Sequence, residues 1–172
     1  MLPTQSLCSA GVGFKPDYFE HVTSSGKKDL WLEVHTENYL VEAGPRLAQL
    51  EQLRPDFDFS FHGVSASLGS GAAIDKPFIS KVKDVIDRYQ PRLVSEHAVW
   101  CRNGQDYMPD LLPLPRTHEM LNRLVDGVNA YQEGINRQIL LENPTNYLNF
   151  KSEIDEPDFM VEVAQKLSLI HI

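Results

Sequence analysis

Short apolar runs alternate along the chain with segments whose apolar residues recur every three to four positions. The runs at Gly11–Lys15, Leu30–Val34, Phe57–Phe61, Arg92–Val94, Gln138–Leu141 and Leu167–Ile172 read as strands. Several lack a clean in–out alternation, as expected for parallel strands covered by helices. Between them, Asp75 can cap free N–H groups and Pro77 fits a first helical turn. The spacing predicts a helix with Phe78, Ile79, Val82, Val85, Ile86 and Tyr89 on one face, ending before Pro91. A second helix is predicted from about Thr117, with Met120, Leu121, Leu124, Val125, Val128 and Tyr131 on its inner stripe. A third opens at Asp155-Glu156-Pro157 and carries Phe159, Met160, Val163 and Leu167, while Leu47, Leu50 and Leu53 mark a weaker, shorter one.

The intervals between strand starts match the length of a βα unit, and no linker or low-complexity stretch breaks them, so residues 1–172 read as one domain. An open doubly wound sheet and a closed barrel both fit this spacing. The barrel is favoured because polar, ionisable residues follow nearly every strand, as at the C-terminal mouth of a barrel, whereas a doubly wound sheet concentrates its site at one switch point. The expected fold is therefore α/β, a (β/α)8 barrel. With 172 residues against about 250 for a complete barrel, the expectation is an incomplete domain carrying only the first five to six βα units.

Composition narrows the partners. With 16 Lys+Arg against 24 Asp+Glu the net charge is −8, and no basic cluster offers a surface to nucleic acid or anionic lipid. No apolar run is long enough to span a bilayer and no basic-then-apolar segment opens the chain, which gives a soluble, cytoplasmic protein as the expectation. Cys8 and Cys101 are too few for a disulfide framework.

The chemistry gathers where strands end. Glu33-Val34-His35-Thr36-Glu37-Asn38 follows the second strand, Phe61-His62-Gly63 the third, Ser95-Glu96-His97 the fourth, and Glu142-Asn143-Pro144 the fifth. Imidazoles and carboxylates recurring at one end of successive parallel strands converge on an axial point, and together they suit Fe, Mn or Zn. Taken alone, His62 is better explained as a hydrogen-bonded core histidine than as a ligand; His97 at the same point of the next strand, preceded by Glu96, reverses that reading. Glu142 directly follows Ile139-Leu140-Leu141, a position that solvation does not explain. His35 and Glu37 could simply face water, and Asn38 and Asn143 could serve loop backbone. His21 and His118 read as surface residues. Ser65–Gly71 lacks the Lys of a P-loop and is expected to be a flexible turn. A Cys101/His97 nucleophile pair would compete with the metal for the same imidazole.

In order along the chain, Gly11-Val12-Gly13-Phe14, Leu32–Tyr39, His62–Ser70, Val94–His97, Asp110–Pro115 and Leu141–Pro144 resemble the multinuclear non-heme iron-dependent oxidases, a family long described only as a domain of unknown function. Ala98 stands where that family usually has Leu. The resemblance implies a barrel of the xylose-isomerase-like kind holding an Fe2+/Fe3+ cluster, with Mn2+ or Zn2+ as alternatives. It also implies an O2-dependent oxidoreductase of natural-product biosynthesis that modifies cysteines of a ribosomally made precursor peptide, beside a small partner protein that presents the peptide. His62, His97 and Glu142 match family iron ligands, with Glu142 as the bridging carboxylate. His35, Glu37, Glu96 and Asn143 fall in matching motifs and are expected to support the ligands or touch substrate. Family members continue into further strands with additional ligands, none of which follows Ile172, so the expectation is a partial iron site. An open barrel edge also predicts self-association. The competing readings are a divalent-metal isomerase or endonuclease on the same barrel, and a fragment without activity.

Overall fold

The computed structural model describes residues 10–26, 29–71, 73–103, 106–148, 150–167 and 170–171. Six strands, β1 (Ala10–Gly13), β2 (Leu30–His35), β3 (Asp58–His62), β4 (Leu93–His97), β7 (Leu140–Glu142) and β8 (Ile170–His171), form one sheet in that order. Every neighbouring pair runs parallel, and the sheet curls as a half-barrel. Helices α1 (Phe19–Ser24), α2 (Pro45–Leu53), α3 (Lys76–Tyr89), α4 (His118–Ile135) and α5 (Glu156–Lys166) link successive strands. This is the α/β arrangement expected from the alternating pattern.

The local signals act as anticipated in the two longest helices. Asp75 accepts the Phe78 N–H at 3.2 Å and Thr117 Oγ1 accepts the Met120 N–H at 3.1 Å, each satisfying an orphan donor of a first turn. Both helices stop at a left-handed residue, Gln90 and Asn136. Their apolar stripes meet the outer face of the sheet. There Leu32, Val34, Phe59, Phe61, Val94 and Leu141 join Val82, Ile86, Tyr89, Leu124, Val128 and Tyr131 in one buried cluster. Phe61 lies 6.0 Å from the Tyr89 ring and 6.5 Å from Tyr39, centroid to centroid. Burying each such side chain contributes about 1.5–3 kcal/mol.

Three features differ from the sequence expectation. Between β4 and α4 the chain forms an antiparallel hairpin, β5 (Trp100–Asn103) with β6 (Asp106–Leu112), in a stretch without strand periodicity. The fifth predicted strand shifts to Leu140–Glu142. Leu167 ends α5 rather than opening a strand, and β8 covers Ile170–His171; positions 168, 169 and 172 of the predicted strand lie outside the described residues, as does Cys8. Among the described residues no helix is long and apolar enough to cross a membrane.

Candidate metal centre

In a parallel sheet, residues paired in register share a face. His35 pairs with His62, His62 with Ser95, and one row further on His97 pairs with Glu142. All five therefore stand on the concave face of the half-barrel at the C-terminal ends of the strands. One nitrogen of His62, one of His97 and one oxygen of Glu142 lie within 4.8 Å of one another. His62 Nε2 is 3.7 Å from Glu142 Oε2, and His97 Nε2 is 3.6 Å from Glu142 Oε1.

These separations exceed direct hydrogen bonds. They approach the spacing of donors that share an ion at about 2.1 Å each, which spans at most about 4.2 Å. Both distances to Glu142 already lie inside that span, and its side chain is 42% exposed. The other nitrogen of each imidazole is occupied: His62 Nδ1 meets Ser95 Oγ at 2.8 Å and His97 Nδ1 meets the Gly63 carbonyl at 3.1 Å. A carbonyl only accepts, so His97 carries its proton on Nδ1 and leaves the Nε2 lone pair facing Glu142.

The two rings stand 4.5 Å apart at 70°. Burial, and next the His97 charge, hold the His62 imidazole below its usual range, partly offset by Glu142 and Glu33. That keeps His62 neutral, the form a metal binds. Two imidazoles and a carboxylate that can converge on one point fit a first-row divalent metal.

The remaining candidates divide. His35 is exposed and its ring lies 5.8 Å from His62, beside a cavity of about 280 Å3 that also meets Lys15, Glu33, Asn38 and Arg46. Asn143 turns towards α5, donating to Glu156 Oε1 at 2.7 Å. Glu96 shares the parity of Val94 rather than that of His97 and is fully buried on the helix side, where its oxygens accept Ala66 N–H at 2.8 Å and His97 N–H at 2.6 Å. Burial pushes its carboxyl up to about 8 against the pull of the Ala66 amide. Glu37 accepts Val64 N–H, Ser65 N–H and Ser65 Oγ–H on one oxygen, Oε1.

The segment at Ser65–Gly71 is thus not the flexible turn its composition suggests. Residues 65–69 are buried, and their backbone is held by carboxylates and by the hairpin, with Ser67 Oγ accepting Cys101 N–H at 2.9 Å and Arg102 N–H at 3.1 Å. The Cys101 thiol is buried beside the Ser65 carbonyl and burial pushes it up, which is opposite to an activated nucleophile. His21 and His118 are exposed, as expected. Ser95 and the Gly63 carbonyl were not singled out in the sequence; the signal for Ser95 is its place two residues before His97, on the same face of one strand.

The family described as RiPP precursor modification enzyme MbnB/TglH/ChrH matches residues 9–169. The chain belongs to that family. Its relatives include a UPF0276 protein of Caulobacter vibrioides (strain NA1000 / CB15N), 39% identical over 159 residues, which cover 92% of this chain and 57% of that protein. A UPF0276 protein of Paraburkholderia phytofirmans is 38% identical over 156 residues, 90% of this chain and 51% of the relative. The chain therefore spans a little over half the length of these family members. Among solved structures, a D-psicose 3-epimerase with D-fructose aligns at a TM-score of 0.53 and 13% identity, covering 90% of this chain and 59% of the epimerase. At that identity the likeness concerns the fold alone.

Proposed function

We propose that the whole protein is an iron-dependent, O2-using oxidase that modifies cysteine residues of a ribosomally synthesised precursor peptide. The observation that carries this reading is the convergence of His62, His97 and Glu142 within 4.8 Å at the mouth of the half-barrel. It is supported by the family's description as modifiers of such precursors. Iron bound there would supply electrons for O2 reduction and a soft enough acceptor for a thiolate.

The chain's own residues do the rest. His62 and His97 each offer Nε2, with their second nitrogens fixed by Ser95 and the Gly63 carbonyl. Glu142 turns one oxygen towards each imidazole and would complete the donor set with them. Burial of both imidazoles keeps bulk water from their rings. Exposed His35, with the neighbouring cavity, is the proposed wall along which the peptide reaches the centre. The peptide would be presented by a small partner protein, in the cytoplasm.

The test is metal analysis of the full-length protein purified without chelators, followed by O2 consumption with a Cys-containing peptide and with its Cys→Ser counterpart. The expected result is iron, and uptake only with the thiol. A protein that takes up no iron, or that turns over a non-thiol substrate with Mn2+ or Zn2+ and no O2, overturns the reading.

A further inference from the structure

One peptide group lies between two chemically distinct parts of the site. The N–H of the Gly63–Val64 peptide, carried by Val64, donates to Glu37 Oε1 at 2.9 Å, and the C=O of the same peptide, carried by Gly63, accepts from His97 Nδ1 at 3.1 Å. A trans peptide is planar with its N–H and C=O antiparallel, so whatever fixes one end aims the other. Glu37 reaches this peptide from the segment after β2, 27 residues earlier in the chain, and the Ser65 N–H and hydroxyl converge on the same oxygen at 2.9 and 2.8 Å. Its second oxygen is buried without a hydrogen-bond partner, so a single oxygen carries the whole interaction.

The other side of the residue is held independently. Gly63 N–H donates to the Ser95 carbonyl at 2.8 Å, and a side chain at Gly63 would place its Cβ 2.8 Å from Glu96 Oε1.

We propose that Glu37 is a positioning residue for His97, acting through the Gly63–Val64 peptide. The arrangement is a carboxylate–histidine pair with one amide inserted between its members. The carboxylate polarises the amide, the polarised carbonyl is a stronger acceptor for Nδ1–H, and the imidazole is held in the tautomer that presents Nε2. His62 has no such link; its Nδ1 partner is the rotatable hydroxyl of Ser95. The two imidazoles are therefore unequal, and His97 is the more firmly preset. This inference rests on the reading of His97 as a metal ligand only for its consequence, not for the geometry itself.

The closing experiment separates the two. Imidazole 15N–1H correlation spectra of the metal-free chain, at a fixed pH where the rings are neutral, report the tautomer of each histidine. Wild type should show His97 as the Nδ1–H form. Glu37→Ala should give a mixture at His97, Glu37→Gln should restore the wild-type pattern in part because its amide oxygen still accepts there but carries no charge to polarise the peptide, and Ser67→Gly, which frees the same loop from the hairpin, should leave His97 unchanged. Co2+ titration of the same proteins should show affinity about 10- to 100-fold weaker for Glu37→Ala and a smaller loss for Glu37→Gln. A folded Glu37→Ala with an unaltered His97 tautomer overturns the proposal, as does loss in Ser67→Gly equal to that in Glu37→Ala. Should Glu37→Ala not fold, Glu37→Asp, one methylene too short, must show the same shift in smaller measure, and an unshifted His97 there overturns it too. A tautomer change in a chain that binds no Co2+ sinks the metal reading while the positioning stands.

Discussion

Glu96 and Glu142 sit on adjacent strands one step apart in register, and the sheet sends them to opposite faces. Glu142 stands on the concave face, partly exposed, with an oxygen turned towards each of two imidazoles. Glu96 stands on the convex face beneath the helices, fully buried, with both oxygens committed to backbone amides. The same contrast runs along the whole sheet: His35, His62, Ser95 and His97 line one face, while Leu32, Val34, Phe59, Phe61 and Val94 line the other. Chemistry and stability are separated by strand parity, so an acidic residue at a strand end serves the ligand set on one parity and the scaffold on the other.

Mutations on the two faces should fail in different currencies. On the convex face, Phe61→Ala should lose about 3–5 kcal/mol of unfolding free energy in urea, with the affinity of the folded fraction for Co2+ unchanged. On the concave face, His97→Ala should weaken Co2+ binding at least about 100-fold, equivalent to about 2.7 kcal/mol, while the melting temperature moves little. If His97→Ala instead unfolds the chain and leaves affinity intact, the division between faces is wrong.

The two carboxylates make the sharper comparison. Glu96→Ala strands two buried amides and should cost about 2 kcal/mol, whereas Glu142→Ala should cost little stability and most of the metal affinity. Equal thermal shifts for the pair would contradict the parity argument. The smallest effect lies far from both faces, at the start of α4. There the His118 backbone amide, and next its ring, hold the Glu153 carboxyl below its usual range. A depressed folded pKa gives stability that is present above the unfolded carboxyl value near 4.5 and lost as pH falls through the folded value. Melting curves across that acid window should show a slightly shallower acid loss for Glu153→Gln than for wild type.

How much of this was legible in the sequence follows from the same geometry. The β/α order and the long helices are readable because convex-face burial writes apolar runs into strands and periodic stripes into α3 and α4, with Asp75 and Thr117 marking their starts. His62, His97 and Glu142 are readable because ionisable groups at the ends of apolar strands have no other obvious use. The face of Glu96 follows from its parity with Val94; what is not readable is the Ala66 amide that occupies its carboxylate, thirty residues earlier in the chain. The hairpin is hidden by the absence of alternation in Trp100–Asn103 and by Pro109 within β6. The Ser/Gly-rich segment after β3 misleads because its composition signals exposure, while the groups that satisfy its amides, Glu37 and Glu96, are distant in the chain.

One close approach at the sheet edge has an optical consequence. A Cβ at Gly11 would lie 2.1 Å from the Trp31 ring, so the indole is seated directly on β1. Trp31 shares the concave face with Glu33 and His35 and stands about 13 Å along β2 from the latter. The only other tryptophan, Trp100, is tied into the hairpin by its bond to the Pro113 carbonyl. The chain thus carries two indoles, one seated on the edge strand and one held at the hairpin. Emission from Trp31, isolated in a Trp100→Phe background, would report how β1 sits against β2, a light-based record of the sheet edge that needs no substrate.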